Sequence, residues 1–401
     1  MARLEAGRRR GSERILLKRA GRGAWRFALA ALVIAFVATR VPWRDRVRES
    51  GAGTWVEGRL EGAWRSEEIG FSLDEGVIVP EEWNAVWAVS LREGDQALLL
   101  REAGVEWEPG LWTVLRGLRL TAILGLLIAV LGGMLCGVTR WWRLLRVCGA
   151  PTPYGTALRL SLLGMFFNLV VPGLTGGDVV KAGMAVKEHP EKRAAALMAV
   201  GLDRVIGLWT LLWIAAGTAW ILRGELRVLL APLIGVCLVS TLGMIVLGWP
   251  RLRDALGAQR ILRWMPGRLM GVLDALRSVA ERPVEVLIAI VLSAANHVCI
   301  GFAVFAVARG IGDDTPFVGC LAASVVASAV SAIPLAPGGW GVGEAAYAAM
   351  FSLLGSGQAV GYAVSVSYRL CQTGVSLLCG FALWRGGMGR LRDEQRLEAS
   401  R

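Results

Sequence analysis

Two short stretches combine charged side chains with a broken backbone. Residues 168–182 read NLVVPGLTGGDVVKA, and residues 331–344 read SAIPLAPGGWGVGE. In each, a proline is followed by a Gly-Gly pair and then by a carboxylate. The first holds Pro172, Gly176, Gly177 and Asp178; the second holds Pro334, Gly338, Gly339 and Glu344. Arg204 follows Asp178 by 26 residues, and Arg369 follows Glu344 by 25. A helix restarting after Gly-Gly presents unpaired N–H groups and a positive dipole end, which suits a phosphate or carboxylate. Lys181 adds a mobile cation one turn later, and Arg204 and Arg369 add planar donors that fit phosphate bidentately. The chemistry on offer is recognition of an anionic headgroup.

Plainer roles compete for the same residues. Asp178 and Glu344 suit helix caps, worth about 0.5–2 kcal/mol. The adjacent Asp203 and Arg204 suit a structural ion pair at a helix start. Asn168, Asn296 and His297 suit hydrogen bonds between helices. Yet charge at membrane depth costs about 2.5–3.5 kcal/mol on insertion scales, so a functional role is the default reading.

The elements that must hold these residues are membrane helices. The 401 residues are 55% hydrophobic and 19% charged, with a mean hydropathy of +0.52. Several apolar runs approach the roughly 20 residues that a bilayer core demands. The net charge of +12 collects beside these runs and forms no separate basic domain, which argues against a nucleic-acid partner. Seven cysteines without a CxxC pair and two histidines leave little for a disulfide framework or a metal site. No cofactor is expected.

Along the chain, residues 1–23 form a basic tail, and 24–40 form a first transmembrane helix. Residues 41–113 form an acidic extracytoplasmic module with fifteen Asp or Glu against seven Arg. Its alternating stretches Trp55–Leu60 and Val86–Leu91 read as strands of a small β-rich insert. Residues 114–385 form the main transmembrane domain, and 386–401 form a second cytoplasmic tail. Within the domain, spans are expected at about 118–138, 194–222, 228–248, 284–308 and 358–384. Arg140, Arg143 and Arg146, beside Trp141 and Trp142, read as an interfacial anchor. The segment 249–283 is expected to lie on the inner leaflet as an amphipathic helix. Segments 157–187 and 317–355 are interrupted and read as re-entrant hairpins. The fold class is an all-α polytopic membrane protein with about six full spans. Its span, hairpin and long span repeat with inverted orientation, and both termini lie in the cytoplasm. Inverted repeats with Gly/Pro-broken helices mark alternating-access transporters.

The motifs FNLVVPGLTGGDVVKA, DRVIGL and IPLAPGGWGVGE together resemble the lysylphosphatidylglycerol synthase transmembrane-region family of flippase-like proteins. The resemblance spans about 118–385. It implies a membrane domain that moves a lipid, or a lipid-linked group, between leaflets. Its motif positions fall on Asn168, Pro172, Gly176, Gly177, Asp178, Lys181, Asp203 and Arg204, then Pro334, Gly338, Gly339, Gly343 and Glu344. The best-known members continue into a soluble aminoacyl-transferase. With the chain ending at residue 401, that reaction is not expected of it, nor is the acidic insert part of the family pattern.

The leading expectation is a flippase-like transporter in the bacterial cytoplasmic membrane, not an enzyme, whose partner is an anionic lipid or polyprenyl-phosphate-linked molecule. Two alternatives stand beside it. One is an integral-membrane transferase acting on a lipid phosphate. The other is an envelope scaffold whose acidic module recruits an envelope protein. Single cysteines at Thr175 and Ala336, in a cysteine-free background, are expected to label from the cytoplasm and from outside respectively. Labelling of both from one face would remove the inverted repeat.

Overall fold

The computed structural model describes residues 41–49, 54–170, 176–248, 281–331 and 341–399, with short gaps within 63–103 and 223–226, together with Ala35 and Thr39. The first-helix expectation at 24–40 therefore lies almost wholly outside the described residues. So do most of the inner-leaflet segment 249–283 and positions Pro172, Pro334, Gly338 and Gly339.

A five-stranded antiparallel sheet comes first. Its strands are β1 (Asp45–Glu49), β2 (Val56–Glu61), β3 (Glu68–Leu73), β4 (Ala97–Leu100) and β5 (Val105–Glu108), in the order β4-β3-β2-β1-β5. Alternation puts Val47, Val56, Leu60, Ile69, Phe71 and Leu99 on one buried face. On the other face Arg46 and Arg48 stand opposite Glu108 and Glu106, pair with them, and stack on Trp55. Val86–Leu91, expected as a strand, lies in helix α1 (Val86–Arg92). Apolar residues occupy both parities there, so alternation is undecided. Burial of Ala88 and Leu91, three residues apart, favours the helix.

Backbone hydrogen bonds tie this sheet module to the helices after it. The carboxylate of Asp45, 4% exposed, accepts Leu60 N–H at 2.9 Å and Gly110 N–H at 2.6 Å. Leu111 N–H then reaches Pro42 O at 2.8 Å. Short helix α2 (Leu111–Arg116) inserts Leu111 and Val114 into the core of the helical bundle.

The bundle comprises α3 (Leu120–Val147), α4 (Tyr154–Val170), α5 (Gly176–Glu188), α6 (Arg193–Ile221), α7 (Arg227–Gly248), α8 (Pro283–Gly310), α9 (Phe317–Ser331), α10 (Val342–Leu353) and α11 (Gln358–Ala399). By length and composition, three helical stretches among the described residues could cross a membrane: Leu120–Val147, Pro190–Ile221 and Pro283–Gly310. Shorter apolar helices lie at Leu230–Ile245 and Phe317–Ser331. The arms α4, α5, α9 and α10 have 17, 13, 15 and 12 residues. At 1.5 Å per residue none exceeds about 26 Å, short of a bilayer core of about 30 Å.

Helices α3 and α8 pack along their whole length, and their contacts run backwards. Arg119 N–H bonds Gly310 O, Gly125 meets Ala306, Gly132 meets Cys299, Arg140 bonds Ser293 and Arg143 bonds Glu285. The two helices are thus antiparallel. Each is followed by a hairpin, α4–α5 or α9–α10, and then by a long helix, α6 or α11. The contacts cross over: α9 packs on α6, and α4 packs on α11. Two units, each of helix, hairpin and long helix, thus begin with helices that run in opposite senses, with small residues at their seam allowing close approach.

Close approach recurs where α11 crosses α10. A Cβ at Gly361 would stand 2.5 Å from both Ala348 Cα and Tyr347 O, whereas one at Gly374 meets nothing within 4 Å. Gly361→Ala is expected to cost about 1–3 kcal/mol through overpacking. Gly374→Ala should be neutral or gain up to about 1 kcal/mol. Thermal unfolding of the two variants in detergent, followed by size-exclusion fluorescence, makes the comparison.

Candidate functional site

Between the two hairpins lies a layer of buried charge. On α4, Ser161, Gly164 and Asn168 share one face, three and four residues apart. Asn168 Oδ1 accepts the N–H of Gly177 at 2.7 Å, capping the start of α5. Only glycine fits at 177, because a Cβ there would lie 2.0 Å from Gly164 O. The tight crossing sets Asp178 and Lys181 against α6 and α3. Asp178 pairs with Arg204 of α6. The ammonium of Lys181 lies 3.9 Å over the ring of Trp141 and 4.0 Å from Asp203 Oδ2.

Asp203 is the hub. Its Oδ1 accepts Arg140 Nε at 2.7 Å, and Arg140 also donates to Ser293 Oγ at 2.9 Å, joining α6, α3 and α8. Arg140 and Trp141 are buried, which overturns their reading as an interfacial anchor. Helix α3 runs on to Val147, past the expected end near 138, because Arg140 finds a carboxylate inside the bundle. The face leading to it, Gly133 and Gly137 at four- and three-residue steps before Arg140, was the overlooked signal. Asp203 and Arg204 do not form the mutual pair their adjacency suggested. Consecutive helical positions point about 100° apart, so each finds a partner on a different element.

The second motif repeats the arrangement. Arg369 Nε pairs with Glu344 Oε1 at 2.5 Å, and Arg369 lies 3.4 Å from Ser331 Oγ. The other Glu344 oxygen accepts Gly341 N–H at 2.5 Å, so this carboxylate is a cap as well as an ion-pair partner. Gly341 has φ 84°, a left-handed conformation that favours glycine. A Cβ at Gly343 would lie 2.0 Å from the Arg369 guanidinium. Each hairpin thus carries a glycine without room for a side chain, directly before a carboxylate that pairs with the arginine of the following long helix. The two pairs differ in exposure. Arg204 and Asp178 side chains are 50% and 22% exposed, while Arg369 and Glu344 are 11% and 6%.

A cavity with two adjoining lobes, of about 270 and 450 Å³, opens among these groups. Asp178, Asp203, Asn296, Tyr368 and Gln372 border both lobes. Lys181 and Asn168 face the smaller lobe; Arg140, Arg204, Ser331 and Arg369 face the larger. Of the remaining expected positions, Gly176 heads α5, and His297 lies 3.2 Å from the Gly207 carbonyl across α8 and α6. Tyr368 and Gln372 flank Arg369 on α11 and carry no pattern that sequence alone would single out.

A helical bundle with apolar spans and a charged central cavity defines a membrane protein. The chain matches the lysylphosphatidylglycerol synthase TM region over residues 97–380, and it belongs to that family. The match starts at Ala97, the first residue of β4, so it takes in β4, β5 and α2 as well as the bundle. No curated protein matches the chain.

The Arg140–Asp203 pair tests the logic of the site. Removing one partner of a buried pair costs about 3–5 kcal/mol, whereas replacing both by apolar groups is often neutral. Asp203→Leu is expected to destabilise by that amount, and Arg140→Met with Asp203→Leu to recover most of it. A double-mutant cycle by thermal unfolding checks the coupling.

Proposed function

We propose that the chain is a flippase-like transporter that carries an anionic lipid, or a molecule linked to polyprenyl phosphate, between the leaflets of a bacterial cytoplasmic membrane. The observation that carries this reading is the cavity bordered by Asp178, Arg204 and Arg369, members of matching ion pairs in two oppositely running units. Polar surface of this kind at membrane depth is tolerated when it lines a path or is buried in protein. The Asp178–Arg204 and Glu344–Arg369 pairs sit at equivalent places in the two units, as expected of a route that is read from each side in turn. Both arginines present planar donors to a passing phosphate, and each has a carboxylate to return to when the phosphate leaves. The cargo crosses unaltered on this reading, and both termini lie in the cytoplasm. Family membership supports a lipid-related role for the same region.

Reconstituted in liposomes with a fluorescent phosphatidylglycerol, the protein is expected to speed leaflet exchange, read by dithionite quenching. Arg204→Ala and Arg369→Ala should each slow it by about tenfold or more, the scale of losing one charge-assisted hydrogen bond. Unchanged exchange in both variants would refute the reading.

A further inference from the structure

The charges around the cavity do not cancel. Arg140, Lys181, Arg204 and Arg369 line its lobes. Three carboxylates answer them: Asp203 on Arg140, Asp178 on Arg204 and Glu344 on Arg369. Lys181 is the fourth cation. Its nearest carboxylate oxygen stands 4.0 Å away, on an Asp203 already engaged by Arg140 at 2.7 Å. The Lys181 side chain is only 11% exposed and rests against the Trp141 ring, a contact that attracts a cation without neutralising it. Among the described residues, then, the cavity carries one positive charge in excess. Buried charge without a counter-charge is costly, so the site favours an occupant that supplies one.

A second observation points to the same lobe. The Ser161 hydroxyl is 6% exposed, lines the lobe with Lys181, and has no hydrogen-bond partner among the described residues. Buried hydroxyls are nearly always bonded, so an orphan facing a cavity marks a place where a ligand oxygen fits. Ser161 lies one turn before Gly164 on α4, and Lys181 packs against Gly164 from α5. Asn168, Asn296 and Gln372 add neutral amides around the lobe. Asp178 and Asp203 also line it, each with its charge answered by an arginine on the side of the larger lobe.

We infer that the smaller lobe is a binding site for a monoanionic phosphodiester, with Lys181 supplying the compensating charge and Ser161 a hydrogen bond to a phosphate oxygen. One negative charge brings the cavity to neutrality. A zwitterionic headgroup leaves the excess in place, and a phosphomonoester near two negative charges overshoots it. The inference rests on the transport reading for the cargo's route, but binding can be measured apart from movement. A lipid headgroup and a soluble phosphodiester share this chemistry.

The test uses the full chain in uncharged detergent and microscale thermophoresis with dioctanoyl lipids. Phosphatidylglycerol is expected to bind about tenfold tighter than phosphatidylcholine and more tightly than phosphatidic acid. Lys181→Gln should erase the preference, Lys181→Arg should keep most of it, and Ser161→Ala should weaken phosphatidylglycerol by about three- to tenfold. Thermal unfolding of each variant shows that it is folded. Equal binding of phosphatidylglycerol and phosphatidylcholine by the unaltered chain, or a preference that survives in folded Lys181→Gln, would overturn the site. Competition by millimolar dimethyl phosphate would uphold it and show that the diester alone suffices. Discrimination without such competition would uphold it with a need for the acyl chains. Discrimination in binding with no leaflet exchange would sink the transport reading and leave this site standing. Exchange without discrimination would do the reverse.

Discussion

Charge inside an apolar bundle has to be answered by opposite charge nearby, and the architecture reflects how that demand is met. Asp203 holds α3 to α6 through Arg140, and Arg140 reaches α8 through Ser293. Asp178 and Arg204 hold α5 to α6, while Glu344 and Arg369 hold α10 to α11. In a low-dielectric interior such pairs are weak as net stabilisers but severe as constraints, since separating one leaves an uncompensated ion. They fix which helices are neighbours and at what height they cross. Apolar packing then fills the space on either side. On α3 the core residues Leu126, Ala129 and Val130 precede Arg140, and Trp141, Leu144 and Leu145 come after it in a second core.

Short side chains make the pairs reachable. Gly177 sits on the backbone of Gly164, Gly343 lies under the Arg369 guanidinium, and Gly207 faces Arg140. A methyl group at 177 would stand 2.0 Å from the Gly164 carbonyl oxygen and force α4 and α5 apart, one at 343 would displace the Arg369 guanidinium, and one at 207 would only touch Arg140. The same substitution-free positions recur in both units, directly before the carboxylate. This explains why a Gly-Gly or Gly-x-Gly pattern and an acid travel together in each motif. The units differ in how far their pairs are exposed, so the molecule is not symmetric in the conformation described. The Asp178–Arg204 pair is partly exposed, while the Glu344–Arg369 pair is nearly buried at the wall of the larger lobe.

The sheet module is bound into this frame. Asp45 is a buried acid satisfied by backbone N–H groups of Leu60 and Gly110, and it sets the point where the chain turns from the sheet into α2. Because Leu111 and Val114 belong to the bundle core, the orientation of β1 and β5 is coupled to the packing of α3 and α11. The family match beginning at β4 agrees with this continuity.

Much of this was legible from residues alone. Long apolar runs set the helices and their approximate limits, because a bilayer core demands a fixed length of them. The paired motifs named two equivalent carboxylates at near-equal spacing before Arg204 and Arg369, but not that the fold joins them as ion pairs, since adjacency matched Arg204 with its neighbour Asp203. Family membership came from the same residues. What sequence could not decide was anything carried by a contact between distant helices. Arg140 looked like an interfacial residue, since Arg beside Trp is the ordinary signature of a membrane surface. Only the antiparallel packing of α3 on α8 turns it inward. Val86–Leu91 became a helix because its environment, and not its period, chose between two fits. The engagement of Asp203 by Arg140, the excess charge on Lys181 and the orphan hydroxyl of Ser161 are likewise sums over several helices distant in sequence. Local sequence sets which groups exist and on which face; tertiary packing alone sets which charges are answered and which are left for a ligand.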